Sequence, residues 1–340
     1  MFETNRQAVE QSANSSPLWL DADDWSALGK SPAFIQDARL APPAHCQSVM
    51  IGVDLTGSLE CRHQANYDVL ITTVQNAPAP WISVPENRAQ DEAEALTQRV
   101  RQFPMAATIL CRLLRLTENM AFDDALFAES LAFSTLLGGA EFRKWLENHG
   151  DEDVAGPSPE PVLMARQDDL VTISLISPHD RNAMTARMRD ALFEALCAVI
   201  DDPSQPHLLL KAEGRCFSVG GALNEFGRAD DLAKAHVIRT LRNGARILHA
   251  LDDRAAVHIQ GAAIGSGLEL AAAASHRTAS VNAWFQLPEL TMGLIPGAGG
   301  TVTLPRAIGR HRAAWLALSG RKINTQLALS LGLIHAISET

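Results

Sequence analysis

From residue 170 onward the chain alternates short, almost uninterrupted apolar runs with longer segments of helical period. Few architectures accommodate that pattern. LVTISLI (170–176) and HLLLKAE (207–213) predict strands. The second has so little polar interruption that both its faces are expected to be covered, as in a parallel sheet. Residues 183–200 and 232–250 predict helices, AAVHIQ (255–260) a strand, and a further helix starts near Ser266. The pattern is that of an α/β core.

The acidic, Pro- and Gly-rich stretch GDEDVAGPSPEP interrupts two periodic regions and marks a boundary. Residues 1–16 are expected to be disordered and 150–160 to form a linker, with the α/β core over 161–340. Residues 17–149 are expected to hold short strands (48–55 and 67–74) and then three or four helices between 88 and 149. At 340 residues, 46% hydrophobic and 20% charged, the chain is long and apolar enough for two globular units.

A net charge of -10 with no basic run argues against a nucleic-acid partner. The five cysteines (Cys46, Cys61, Cys111, Cys197, Cys216) lie far apart and make no C-x-x-C pair, so they are expected to be thiols in a reducing compartment. The opening MFETNRQAVEQ has neither the basic nor the apolar region of a secretory signal, and no apolar run approaches a membrane span. A cytoplasmic location with no membrane partner is expected.

The segment GSGLELAAAA is apolar almost all round, as a helix buried on every side would be. Glu269 sits in its first turn, where burial would raise its pKa toward the range of general acid/base catalysis; the alternative is a solvated Glu favoured by the helix dipole. Two Gly-rich turns, GRCFSVGGAL and GAAIGSG, would let a ligand approach backbone N–H groups closely. GAAIGSG also fits the nucleotide loop of short-chain dehydrogenases, but the only tyrosine, Tyr67, has Ile71 rather than Lys four residues on. Gly29-Lys30-Ser31 lacks the earlier glycine of a P-loop, and no G-x-S-x-G elbow, H-E-x-x-H or other metal spacing occurs.

Taken together, G-x-G-x-E-L-A, F-x-x-P-E, G-L-x-P-G-x-G-G-T, R-x-x-G, L-x-G-x-x-I and A-L-x-x-G-L, in this order across residues 257–333, resemble the crotonase superfamily of enoyl-CoA hydratases and isomerases. RNAM (181–184) and FSVGGAL (217–223) fit its earlier landmarks, so the resemblance covers about residues 161–337. It implies a crotonase-like ββα superhelix preceded by a mainly helical N-terminal domain. By position it implies Glu269 and Glu289 as the catalytic pair, twenty residues apart, and the backbone N–H groups of Gly221 and Ser266 as the oxyanion hole. It further implies substrate contacts at Arg181, Phe217, Val219, Gly265, Pro288 and Gly297, with Arg181 or Arg187 toward the coenzyme's phosphates.

No cofactor is implied beyond the coenzyme A of an acyl-CoA substrate, no metal is implied, and a homo-oligomer, trimer or hexamer, is expected. Hydration of a 2-enoyl-CoA, or its reversal, leads. Double-bond isomerisation, a cofactor-independent aryl-acetyl-CoA dioxygenase, an RNA-binding crotonase and a thioester-binding pseudoenzyme are the alternatives; both glutamates being present favours the first. Departures from the family pattern are Ala222 for the usual Asp, Ser275-His276 for Cys-Asp and Asp253-Arg254 for Lys-Pro, and they leave the acyl group open. His258 and His276 are expected to be structural.

The family's core is commonly followed by further helices that cover the site, whereas here GLIHAI is followed only by a few residues. Residues 95–146 resemble that module, which would make the order of the chain circularly permuted. Ile109, Leu113, Leu116, Leu126, Phe133 and Leu137 would then pack on the core or on a neighbouring subunit.

Overall fold

A computed structural model describes residues 23–43, 46–149 and 160–338. The expected disordered start and nearly all of the expected linker lie outside these residues. The chain divides into two compact units, Met1–Arg112 and Leu113–Thr340, so the division falls inside a helix and well before the Gly- and Pro-rich stretch.

The first unit is built on a parallel sheet of four strands in sequence order: β1 (Ala33–Asp37), β2 (Val49–Asp54), β3 (Val69–Thr72) and β4 (Ile82–Ser83). The strands β2 and β3 are buried along their whole length and were legible as apolar runs. β1 and the two-residue β4 were not, because in the first the polar Gln36 is buried while Phe34 and Ile35 are only partly so, which breaks any alternation, and the other is too short to show a period. Helix α1 (Ala89–Gln102) covers the sheet with Ala93, Leu96 and Val100, one face of a 3.6-residue period. The single tyrosine, Tyr67, is fully buried here; its hydroxyl accepts from Gln36 Nε2 at 2.7 Å and donates to the Leu40 carbonyl at 2.8 Å, and burial pushes its pKa up to about 12. Helix α2 (Pro104–Thr117) starts on a proline, which needs no hydrogen-bond partner at that position.

In the second unit, α3 (Phe122–Leu137) and α4 (Ala140–His149) precede a sheet of six strands. The strands are β5 (Val162–Gln167), β6 (Leu170–Leu175), β7 (His207–Ala212), β8 (Ala255–Ile259), β10 (His276–Ser280) and β13 (Ala336–Ser338). Only the β5–β6 hairpin is antiparallel; every other pair is parallel. A smaller sheet holds β9 (Ala262–Ile264), β11 (Trp284–Gln286) and β12 (Ile323–Asn324). The chain passes from β8 in one sheet to β9 in the other through Gln260 and Gly261, and it repeats the move from β10 to β11. This two-sheet winding is the α/β superhelix that the motifs implied.

Helices α5 (Ala186–Ile200), α6 (Leu232–Leu241), α7 (Gly244–Ala250), α8 (Ser266–Ala271), α9 (Gly300–Ile308), α10 (Arg310–Ser319) and α11 (Thr325–Leu331) complete this unit. The expected helix at 183 begins later, where the Thr185 hydroxyl accepts from the Met188 N–H at 3.0 Å. The expected helix over 232–250 is two helices. Asn243 ends the first and caps the second, accepting from the N–H groups of Ala245 and Arg246.

Helix α3 lies against α6 and α9, and α4 against the short turn Glu289–Met292. Leu126 is buried in a cluster with Ala125 and Val302, while Phe133 and Leu137 line the cavity described below. Leu113 is buried, but Leu116 is 61% exposed and packs as a surface residue. A fragment of residues 161–340 would lose both helices and uncover these apolar contacts. Each such side chain contributes about 1.5–3 kcal/mol by burial, so the fragment is expected to elute as aggregate in size-exclusion chromatography. A monodisperse, active fragment would show that α3 and α4 are dispensable.

Candidate active site

Three loops build one wall. Asn182, buried and in the left-handed region at φ +55°, accepts from the Ser177 N–H at 2.8 Å and donates to the carbonyls of Glu213 and Cys216. It thereby ties the R-N-A-M segment to the F-S-V-G-G loop. The link is reinforced by the Met184 N–H on the Gly220 carbonyl at 2.7 Å and the Ser218 hydroxyl on the Asn182 carbonyl at 2.7 Å. Ser218 in turn exchanges backbone hydrogen bonds with Ala262 and Ile264 of β9, which leads straight into α8. Residues far apart in sequence thus meet around a cavity of about 920 Å³.

Val219, Gly221, Gly265, Ser266, Glu269, Pro288, Glu289 and Gly297 all line that cavity. Two candidates do not. Phe217 is fully buried in the core, and Arg181 is an exposed residue in a left-handed turn at φ +59° whose carbonyl accepts from the Val219 N–H. Their contribution is to hold the loop, through packing and backbone respectively. Arg187 is exposed on α5 and is likewise absent from the lining.

The N–H groups of Gly221 and Ser266 have no acceptor among the described residues. The first sits in a loop held from both sides, and the second opens α8, whose initial N–H groups have no intrahelical partner. Gly265, immediately before, adopts φ +47°, and a Cβ there would lie 2.5 Å from Glu289 Oε1. The backbone conformation, φ +47° with ψ -123°, requires glycine there, and any Cβ would also displace the Glu289 carboxyl.

Glu269 is buried, against the alternative of a solvated helix start. Its Oε2 accepts from the N–H groups of Ala298 at 2.6 Å and Gly300 at 2.8 Å. Burial raises its pKa to about 7, and the hydrogen bonds from Ala298, Gly300 and Gly297 oppose the rise. Glu289 is also buried, and among the described residues its Oε2 has no hydrogen-bond partner. Its pKa stands well above the ordinary value, first because of burial and then because of the Glu269 charge.

A third buried carboxylate was not foreseen. Glu129, on α3, accepts from the Gly299 N–H, the Thr301 N–H and the Thr301 hydroxyl, each at 2.7 Å. The four successive N–H groups at the start of α9 therefore alternate between two acids: 298 and 300 to Glu269, 299 and 301 to Glu129. One helix N-terminus, with its partial positive charge, serves both. Burial and then the Glu269 charge raise the Glu129 pKa to about 8.

Raised carboxyl pKa values mean that the folded protein binds more protons than the unfolded chain. The stability they confer is complete below the ordinary value of 4.5 and is lost as pH rises through about 7 to 8. The melting temperature is expected to fall between pH 5 and pH 8, over a range worth on the order of a few kcal/mol. Glu129→Gln should flatten that fall in thermal unfolding at stepped pH. An unchanged slope in the variant would remove Glu129 from this account.

His258 lies between the hydroxyls of Thr278 and Ser280, at 3.1 and 3.2 Å, and His276 is exposed on β10; neither lines the cavity. Among the described residues no group of three His, Cys, Asp or Glu could hold a metal ion, and no helix is long and apolar enough to cross a membrane.

A family model described as enoyl-CoA hydratase/isomerase matches residues 165–339. The chain is 34% identical over 176 residues to 2,3-dehydroadipyl-CoA hydratase of Escherichia coli (strain K12), covering 52% of this chain and 68% of that protein. It is 31% identical over 188 residues to enoyl-CoA isomerase/hydratase fer4 of Mycosarcoma maydis, with 53% and 69% covered. With a probable enoyl-CoA hydratase of Bacillus subtilis (strain 168) the identity is 35% over 176 residues, covering 49% and 65%. A crystal structure of enoyl-CoA hydratase from Thermoplasma volcanium GSS1 aligns at 32% identity and TM-score 0.49, over 54% of this chain and 73% of that one.

Proposed function

The chain belongs to the enoyl-CoA hydratase/isomerase family, and we propose that it hydrates a 2-enoyl-CoA thioester, or catalyses the reverse dehydration. The observation that carries this reading is the pairing, on one cavity, of two buried carboxylates with two backbone N–H groups that have no acceptor among the described residues. Hydration needs both. Water adds to C3 of the enoyl group as the double-bond electrons move toward the thioester oxygen, and the enolate so formed takes a proton at C2.

The N–H groups of Gly221 and Ser266 would hold the thioester oxygen as its charge grows. Glu269, whose ionised form is supported by N–H donors, suits the base that takes the proton from water. Glu289, buried without such donors, suits the acid that delivers a proton to C2. Exchange with solvent restores both, so no cofactor beyond the coenzyme A of the substrate enters the scheme. We read the protein as a cytoplasmic homo-oligomer, trimer or hexamer. Exposed Phe127 and Leu131 on α3 and Val237 and Leu241 on α6 support assembly of copies.

The test is incubation with paired 2-enoyl- and 3-enoyl-CoA thioesters, followed by mass. Uptake of one water by the 2-enoyl series is expected. Conversion of 3-enoyl to 2-enoyl thioester without any hydration would replace hydratase by isomerase.

A further inference from the structure

The cavity is lined by arginines whose charges are not equally matched. Arg189 pairs with Asp190 at 2.8 Å, and Arg242 reaches Asp190 at 3.3 Å and Glu194 at 3.6 Å. Arg143, exposed on α4, donates to the Gly138 carbonyl and meets solvent. Arg239, on α6, is half-buried and differs from both paired arginines. Its Nη1 donates to the Ser130 carbonyl at 3.2 Å, the Ser130 hydroxyl at 2.8 Å and the Ser134 hydroxyl at 3.1 Å, and its guanidinium stacks over the Phe133 ring at 4.6 Å. All of these partners are neutral and all belong to α3. Among the described residues no carboxylate lies within ion-pair distance of it, and neither Nε nor Nη2 has an acceptor. Burial lowers its pKa to about 10, and the Glu129 carboxyl, beyond ion-pair distance on α3, opposes the fall, so it remains a cation near neutrality.

A half-buried guanidinium without a direct ion pair is costly, and a ligand that supplies the anion relieves that cost. The edge left free, Nε with Nη2, is one that binds a carboxylate through two parallel hydrogen bonds, while Nη1 and the ring below fix its plane. Its place in the cavity limits the source of that anion. The Phe133 ring packs directly on Gly297, where a Cβ would collide with it. Gly297 adjoins Ala298, whose N–H holds Glu269. One aromatic ring thus separates the cation from the wall that carries the catalytic acid. Because Arg239, Phe133 and Glu269 line one cavity, an acyl chain running from the thioester along the Phe133 ring would bring its far end to the guanidinium. The nucleotide phosphates are held away from the thioester by the whole pantetheine arm.

We infer that the acyl group carries a carboxylate of its own, so that the substrate is the monothioester of an unsaturated dicarboxylic acid, bound at its far end by Nε and Nη2 of Arg239. This rests on the hydratase reading of the same cavity. The test compares kcat/KM of the full-length protein on a chain-length series of 2-enoyl-CoA thioesters ending in methyl or in carboxylate, with the same acyl groups also presented as pantetheine thioesters. At the best length the carboxylated substrate is expected to lead by at least about 10²-fold, in both the coenzyme A and the pantetheine series.

Arg239→Gln should bring that ratio close to unity, and Arg239→Lys, which keeps the charge but loses the fork, should fall between. Should Arg239→Gln fail to fold, the wild-type ratio and Arg239→Lys decide. Methyl-ended substrates hydrated as well as carboxylated ones would overturn the inference and leave the hydratase reading standing. An effect of Arg239 variants confined to coenzyme A thioesters would assign the residue to a phosphate and likewise overturn it. If nothing is hydrated, calorimetry with saturated acyl-CoA thioesters ending in carboxylate or methyl decides independently of turnover: tighter binding of the carboxylated form supports the subsite, and equal binding refutes it.

Discussion

Glu269→Gln and Glu289→Gln are each expected to reduce turnover by about 10²- to 10⁴-fold, the range that general acid/base help commonly supplies, while thioester binding stays within a few fold. Both variants should fold. At 269 the Gln carbonyl oxygen can still accept from Ala298 and Gly300, and at 289 the neutral amide replaces a group whose burial already favours its neutral form. Steady-state rates with a 2-enoyl-CoA, alongside binding of a saturated acyl-CoA, make the check. Activity within fivefold of wild type for either variant would remove the hydratase assignment. A loss confined to Glu289→Gln would favour the isomerase, which needs one proton-shuttling carboxylate.

The second large effect concerns Gly221. Gly221→Pro deletes an N–H that the oxyanion would use, and a loss of about 10²- to 10³-fold is expected. Gly221→Ala is the necessary comparison, because a Cβ at this position would lie 2.7 Å from the Phe226 ring and both variants meet that contact. Alanine keeps the N–H and proline does not. The difference between them, measured on folded protein, isolates the donor. Equal rates would show that Gly221 does not face the thioester oxygen.

The alternation of apolar runs and helical segments was enough to read the core, since buried parallel strands leave unbroken apolar stretches such as His207–Ala212. The paired glutamates and their glycine loops were legible because the close approaches they need restrict residue type locally, as at Gly265. Glu129 was not. In FDDALFAESLAF it reads as one more polar position on a helix surface, and what buries it is a helix N-terminus 170 residues later. No local pattern encodes such a partner. The break at Asn243 did have a signal, an Asn-Gly pair inside a helical period, with the Asn side chain free to cap. Phe217 and Arg181 show the limit of transferring contacts by position: one belongs to the core and the other to a turn.

The alternating grip of two acids on the start of α9 also orders events during synthesis. A chain emerges from its N-terminal end, so α3 is complete long before Gly299 and Thr301 exist. Closing a contact across 170 residues costs little more in equilibrium free energy than closing a shorter one, because the entropy of loop closure grows only logarithmically. The burden falls on time instead. Until α9 forms, Leu126 lacks Val302 and Glu129 lacks the N–H groups it accepts from, whereas Phe133 can already meet Arg239 of the earlier α6. The part of α3 that faces α9 therefore stays open to misassociation and to chaperones until the late helix is made.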